Sequence, residues 1–320
     1  MFKPESEGLD DVLKRRDYRN ENKIKTGNDF IDDLTGGISP GDLMVMAADT
    51  GVGKTELATH VALAACNAGK KVYMFVLEAY NKEITDRIYY KNLMQLVKDP
   101  EMRYALWTRG YYKTWEKMHD AAVKKKQKAQ TANLMTFYKH AGDFTTRDLA
   151  KHIEKSAKDA DMIILDHIHV VDSHSTQSDF DAQKATIQIL GTLSQKHNLP
   201  VLACSQLRKK QQGSNRQLVP DHDDLYGSSY ISREATHVVT FARDHLSDKP
   251  KPHLYPTFMR MAKRRVGGAE PYIARMNYNR ALGIYEAGYE LGLPQYKKDL
   301  GLYWEQVKER PIWAESLNDE

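Results

Sequence analysis

Ala48-Asp49-Thr50-Gly51-Val52-Gly53-Lys54-Thr55 is the stretch whose reading decides the fold. It follows the apolar run Leu43–Ala48 and precedes a segment rich in Ala and Leu. A strand, a glycine loop and a helix in that order make a phosphate-binding loop. The strand aims the loop, Gly51 and Gly53 let backbone N–H groups close around a phosphate, and the helix N-terminus adds its dipole. Lys54 is placed to reach the β- and γ-phosphates of a nucleoside triphosphate, and the Thr55 hydroxyl to ligate Mg²⁺. Ala48, Asp49, Thr50 and Val52 complete the nucleotide-holding loop. Ala48 stands where Gly is more usual, which is tolerated where the backbone is not at positive φ.

Outward from this loop, apolar runs and helical stretches alternate, the signature of an α/β fold. Strands are expected at Leu43–Ala48, Val72–Leu77, Met162–Leu165, Pro200–Ser205, His237–Ala242, Pro256–Ala262 and Tyr272–Tyr278. Helices are expected from about Thr55 to a Gly69 stop, and from Asp179 to His197, where Asn198 and Pro200 end the pattern. The expected architecture is a mostly parallel central sheet with helices on both faces. Residues 91–140 read poorly. They contain Trp107, Trp115 and the basic run Lys124–Lys128, whose ordinary meaning is a solvated helix face and whose alternative is nucleic-acid contact.

Composition narrows the function classes. Hydrophobic residues are 41% of the 320, so the chain can bury a core and is not a disordered tail. Lys and Arg number 47 against 43 acidic residues; a net charge of +4 excludes a protein that grips nucleic acid by bulk charge. There is no apolar run long enough to span a bilayer and no secretory leader, so a cytoplasmic protein without membrane contact is expected. Cys66 and Cys204 are the two cysteines, which excludes a disulfide scaffold and a Cys-rich zinc module.

Two carboxylates extend the nucleotide site. Met162-Ile163-Ile164-Leu165-Asp166 is an apolar strand ending in an acid, the shape of a Walker B element, with Asp166 holding magnesium through water. The neighbour of Asp166 is His167, not the Glu that many ring ATPases place there. Glu78, closing the strand that follows the phosphate-loop helix, takes that role as the base orienting the attacking water.

Five segments in sequence carry a family resemblance. Residues 26–42 (Thr26 to Asp42) resemble the lead-in to the phosphate loop of RecA-fold ATPases. Phe75-Val76-Leu77-Glu78 followed by Arg87 resembles the DnaB-type replicative helicases and the motor domains of phage primase-helicases. Pro200–Leu207 is similar to their third motif, Asp224–Ser229 with Thr236–Asp244 to the fourth, and Ala262–Gly267 completes the order. The resemblance covers roughly residues 25–285 and implies a RecA-like P-loop NTPase that uses ATP or another NTP with Mg²⁺. Gln206 would sense the γ-phosphate. Lys263 and Arg265, two apart on a strand and so on one face, would reach into a neighbouring subunit's nucleotide. Arg243 and Tyr278 match positions that sandwich the base.

The same resemblance implies a hexameric ring translocating 5′→3′ on single-stranded DNA in phage-type replication. Arg208, Lys209, Lys210 and Arg216 form a cationic stretch suited to tracking phosphates in the channel. Tyr226 replaces the Arg of many relatives, and stacking is its expected contact. Rival readings are a RecA-fold recombination or repair ATPase and a non-motor nucleotide-binding loader or adaptor. The expected organisation is an arm at 1–25, a motor domain at 26–285 and a C-terminal extension at 286–320. Leu9, Val12 and Leu13 give the arm an amphipathic helix able to swap onto a neighbour. The extension, past the last expected strand, carries Tyr296, Leu302, Tyr303, Trp304 and Trp313 and is apolar enough to dock on the domain, a neighbour or a replication partner. With no primase segment or collar domain expected here, a separate primase, polymerase or loader would come from another chain.

Overall fold

The computed structural model describes residues 8–99, 101–139, 144–171, 179–208, 218–225, 228–244, 253–268, 270–279, 281–297 and 301–314. Helices α1 (Leu9–Glu21) and α2 (Asp29–Thr35) precede β1 (Leu43–Ala48), α3 (Lys54–Asn67) and β2 (Val72–Val76). Three helices follow, α4 (Glu83–Val97), α5 (Tyr104–Trp107) and α6 (Lys113–Gln130). Then come β3 (Leu134–Tyr138), α7 (Thr146–Ser156), β4 (Met162–Asp166), α8 (Asp179–His197), β5 (Val201–Gln206) and α9 (Ser228–Glu234). The chain ends in strands β6 (His237–Arg243), β7 (Leu254–Arg264), β8 (Ile273–Asn279), β9 (Ile284–Tyr285), β10 (Glu290–Lys297) and β11 (Gly301–Gln306).

All the strands join one sheet, ordered β11-β10-β8-β7-β6-β1-β5-β4-β2-β3, with β9 paired to β8. From β6 to β3 the neighbours are parallel; from β6 through β11 they are antiparallel. The period-two alternation of β1 shows how the sheet is covered. Met44, Met46 and Ala48 face a core shared with α2 and α3, while Leu43, Val45 and Ala47 face a second core shared with α7, α8 and α9. Burial of β1 on both faces explains its continuous apolar composition. The expected helix after the phosphate loop and the Asp179–His197 helix are both present.

Two features depart from the expected strands. The described part of residues 91–140 holds the end of α4, then α5 and α6, and also β3, the sheet's edge strand, whose mixed burial hides it from hydropathy alone. Tyr272–Tyr278 is not the last strand, since β10 and β11 pair as a hairpin and extend the sheet. Trp304 Nε1 donates to the Ile273 carbonyl at 3.1 Å, and Trp313 packs edge-on against Phe30 and Tyr272. The described part of the extension therefore docks on its own chain. Helix α1 forms as the spacing predicts but buries no side chain, and Leu9 is 71% exposed. The basic run forms an open face of α6, where Lys124 pairs with Asp120 at 2.8 Å. Cys66 and Cys204 are free and buried. Among the described residues, no helix is long and apolar enough to cross a membrane.

Candidate nucleotide site

The carboxyl ends of β1, β2, β4 and β5 converge because parallel strands in one sheet point the same way. In-register pairing sets Ala48 of β1 opposite Gln206 of β5, and Val76 of β2 opposite Asp166 of β4. Glu78 follows two residues beyond Val76. The result is a cavity of about 510 Å³ lined by Thr50 through Thr55, Glu78, Asp166 and Gln206. Arg243, Tyr255 and Tyr278 line it from the antiparallel side.

Local backbone makes the loop. Gly51 and Gly53 have φ of 76° and 116°, values L side chains rarely adopt. Ala48 is not among the described residues at positive φ, so a methyl group there meets no backbone strain. Lys54 Nζ donates to the carbonyls of Ala48 and Asp49 at 2.9 and 3.0 Å, folded back over the loop it serves. Burial pushes its ammonium below the usual lysine range, against the pull of negative neighbours that include Asp166 and Glu78.

Asp166 is 1% exposed, and its Oδ1 is buried without a hydrogen-bond partner. Burial raises its carboxyl pKa, opposed by a hydrogen bond from Thr55 and by the charge of His167. An orphaned buried carboxylate oxygen beside a hydroxyl is a donor set that fits a hard divalent cation. Glu78 stands more open, with its side chain 57% exposed and its Oε2 2.6 Å from His167 Nε2.

Behind the loop lies a network with no sequence forecast beyond Arg87. Glu56, the residue after Thr55, is bonded by Arg87 and by Lys91 of α4, and Arg87 also by Glu83. Burial works against Glu56 ionising, but the charges of Lys91 and Arg87 outweigh it and hold the carboxyl below its ordinary range. Arg87 in turn is held charged by Glu56 and Glu83 despite its burial. Their i, i+4 spacing on α4 is readable; their meeting with α3 is not.

Arg243 Nη2 donates to the Gly51 carbonyl at 2.5 Å and its guanidinium lies 5.2 Å from the Tyr255 ring centre. Tyr278 packs at 5.1 Å against Tyr285. Tyr255 was missed because nothing in its sequence context marks it; register with Tyr278 across β7 and β8 brings it in.

Lys263 and Arg265 lie elsewhere. Antiparallel β7 returns them to the amino edge of the parallel strands, where Arg264 pairs with His237 at the start of β6. Lys263 donates to the carbonyls of Ser232 and Ala235, and Arg265 to that of Arg233 at 3.1 Å, all at the end of α9. Arg264 points to the other face and holds Leu34 and Glu270. Neither Lys263 nor Arg265 lines the chain's own cavity. Arg208 is exposed just past β5, its backbone N–H bonded to the Asp224 carbonyl at 2.8 Å. Lys209, Lys210, Arg216 and Tyr226 lie outside the described residues.

A parallel-centred sheet with a glycine loop opening onto a helix N-terminus, a strand-end acid and a flanking carboxylate defines a RecA-like P-loop NTPase domain. The chain belongs to the DnaB-like helicase C-terminal domain family, whose model matches residues 23–283. It is 25% identical over 247 residues to the replicative DNA helicase DnaB of Haemophilus influenzae, covering 75% of this chain and 50% of that protein. The DnaB of Mycoplasma pneumoniae is 24% identical over 232 residues, with 69% and 46% covered. The chain thus spans about half the length of the curated relatives it matches. Among solved structures, a DnaB-like replicative helicase studied with its interactions with primase superposes with a TM-score of 0.70 at 16% identity. That match covers 88% of this chain and 68% of the other. The ATPase domain of G40P gives 0.68 at 16%, covering 87% and 95%.

Proposed function

We propose that this chain is the NTP-driven motor of a replicative DNA helicase, hydrolysing ATP or another NTP with Mg²⁺ and translocating on single-stranded DNA as a ring of copies. The family supports the helicase reading over the recombination ATPase and the loader. The observation that carries it is the meeting of Lys54, Thr55, Glu78, Asp166 and Gln206 around one cavity while Lys263 and Arg265 sit at the opposite sheet edge. With Lys263 and Arg265 outside this chain's own cavity, a neighbouring copy would supply them, which is how a ring couples turnover between subunits.

Each residue then has a task. The loop N–H groups and Lys54 bind phosphates; Glu78 takes the proton of the attacking water; Gln206 senses the transferred group. Arg265, with Lys263, stabilises the spreading charge in the next subunit's site, a contribution worth roughly 10³–10⁵ in rate. Thr55 and Asp166 would hold Mg²⁺, which neutralises phosphate charge when bound. Arg243 with Tyr278 flank the base. Arg208, Lys209, Lys210, Arg216 and Tyr226 contact the strand, hexameric closure and 5′→3′ polarity follow the family, and a primase, polymerase or loader is a partner from another chain.

The test is turnover with and without single-stranded DNA, together with unwinding of a forked duplex. Lys54→Ala and Glu78→Gln should abolish both, and Arg265→Ala should abolish turnover while sparing nucleotide binding. Wild-type turnover unchanged on dilution to monomer would falsify the in-trans role. Strand exchange without fork unwinding would favour the recombination ATPase.

A further inference from the structure

Two histidines beyond β4 have no task in the reading above, yet they hold two of its parts. His167 is 2% exposed. Its Nε2 lies 2.6 Å from Glu78 Oε2 and 3.2 Å from the side-chain amide of Gln206. Its Nδ1 faces the backbone N–H of His169 at 3.3 Å. A ring nitrogen that accepts carries no proton, so in the neutral ring the proton sits on Nε2 and is donated to Glu78. The Gln206 atom at that distance is Nε2, so with the proton on His167 Nε2 the amide is taken in its flipped orientation, its oxygen toward the ring. His169 completes the grip, because its Nε2 accepts the Gln206 backbone N–H at 2.8 Å. Gln206 is therefore held by its backbone through one imidazole and by its side chain through the other. It ends β5, and the cationic stretch to Arg216 begins two residues later.

We propose that His167 is a positioning residue that ties the Glu78 carboxylate to Gln206, so that the segment after Gln206 governs turnover through one imidazole. The assignment rests on the reading of Glu78 as base and Gln206 as sensor. The physical argument is competition for a single proton. A carboxylate oxygen accepting from His167 is a poorer acceptor for a water proton and is fixed in one rotamer. Gln206 shares that same N–H, and its backbone is set by His169. When DNA bound at Arg208 displaces the end of β5, the imidazole follows Gln206 and Glu78 is released toward the water. Volume alone would be satisfied by any buried side chain at 167; coupling needs an N–H donor there.

The experiment compares His167→Gln with His167→Met in the full chain, two flexible side chains of similar length of which Gln alone carries an N–H donor. Steady-state kcat and KM for ATP are measured with and without single-stranded oligonucleotide, alongside binding of a fluorescent ADP analogue and thermal unfolding. In the Met variant DNA-free kcat should rise about tenfold, the order expected on losing one hydrogen bond to a charged group. The ratio of DNA-stimulated to DNA-free kcat should then fall to within about twofold of one, with KM and analogue binding unchanged. The Gln variant should keep the wild-type ratio. A Met variant that keeps the wild-type ratio, or two variants that lose kcat equally in both states, overturns the assignment. Should the Met variant fail to fold, His167→Asn, whose amide is too short to reach Glu78, is expected to show the same collapse, and its absence is equally decisive. Wild-type turnover that ignores DNA sinks the helicase reading itself; variants that retain stimulation sink the histidine coupling alone.

Discussion

Replacing Glu56 by Gln should cost the fold far more than a surface charge would, and a second substitution should restore most of the loss. Glu56 is bonded by Lys91 at 2.5 Å and by Arg87, while Glu83 supports Arg87 alone. The side chains of Glu56 and Lys91 are 12% and 7% exposed. With Glu56 and Glu83 against Arg87 and Lys91, the network carries two charges of each sign and is neutral. Glu56→Gln leaves Arg87 its Glu83 partner but strands the Lys91 ammonium, a buried uncompensated charge that costs about 3–5 kcal/mol. Adding Lys91→Met removes that charge while keeping the stem that packs beside Gly283, so the double variant should lie within about 1–2 kcal/mol of wild type. Urea unfolding followed by tryptophan fluorescence and circular dichroism measures all three. A single variant within 1 kcal/mol (about the size of an exposed pair), or a double variant no more stable than the single, would refute this account of the network.

Three further outcomes are expected. A Cβ at Gly292 would meet the Trp304 indole at 2.2 Å and the Glu305 carbonyl at 2.6 Å. Gly292→Ala should therefore cost about 1–3 kcal/mol and red-shift tryptophan emission; unchanged emission would mean the hairpin packing is misjudged. Burial first, then the charges of His167 and Lys54, hold the His169 pKa down to about 3 from its ordinary 6.5. The unfolded chain takes up that proton and the folded chain resists it, so stability from neutral His169 is complete above 6.5 and lost as pH falls toward 3. The urea midpoint of His169→Gln should fall less steeply than wild type over that window. Thr145 caps α7 and exchanges hydrogen bonds with Asp148; Thr145→Ala should lose ~1 kcal/mol, read from the same urea curves.

What the sequence made legible follows the physics of burial. Strands β1, β2, β4 and β5 are covered on both faces, so they appear as continuous apolar runs with sharp ends, and Ala48, Asp166 and Gln206 mark those ends. Glu78 was readable for the same reason. Strand β3 was not, because an edge strand with half-buried positions mixes polar and apolar residues as a loop does. The β10–β11 hairpin hid behind Pro294 and an exposed face. Glu56 with Lys91, and His167 with His169, depend on packing between elements and on register, and no single segment contains either. Lys263 and Arg265 both reach carbonyls at the end of α9, although β7 ends at Arg264 and Arg265 opens the turn after it, and their distance from the chain's own cavity needed the antiparallel return of β7.

The position of β1 has a consequence for how the molecule breathes. Its backbone is bonded to β5 on one side and β6 on the other, whereas β3 and β11 each have a single neighbour. Local opening works inward from strands with one ladder to those with two. In hydrogen–deuterium exchange the amides of Leu134–Tyr138 and Gly301–Gln306 should therefore label early, and those of Met44–Ala47 only with global unfolding. The glycine loop hangs from the segment that lets go last, so its aim survives fluctuations that fray the rims of the sheet.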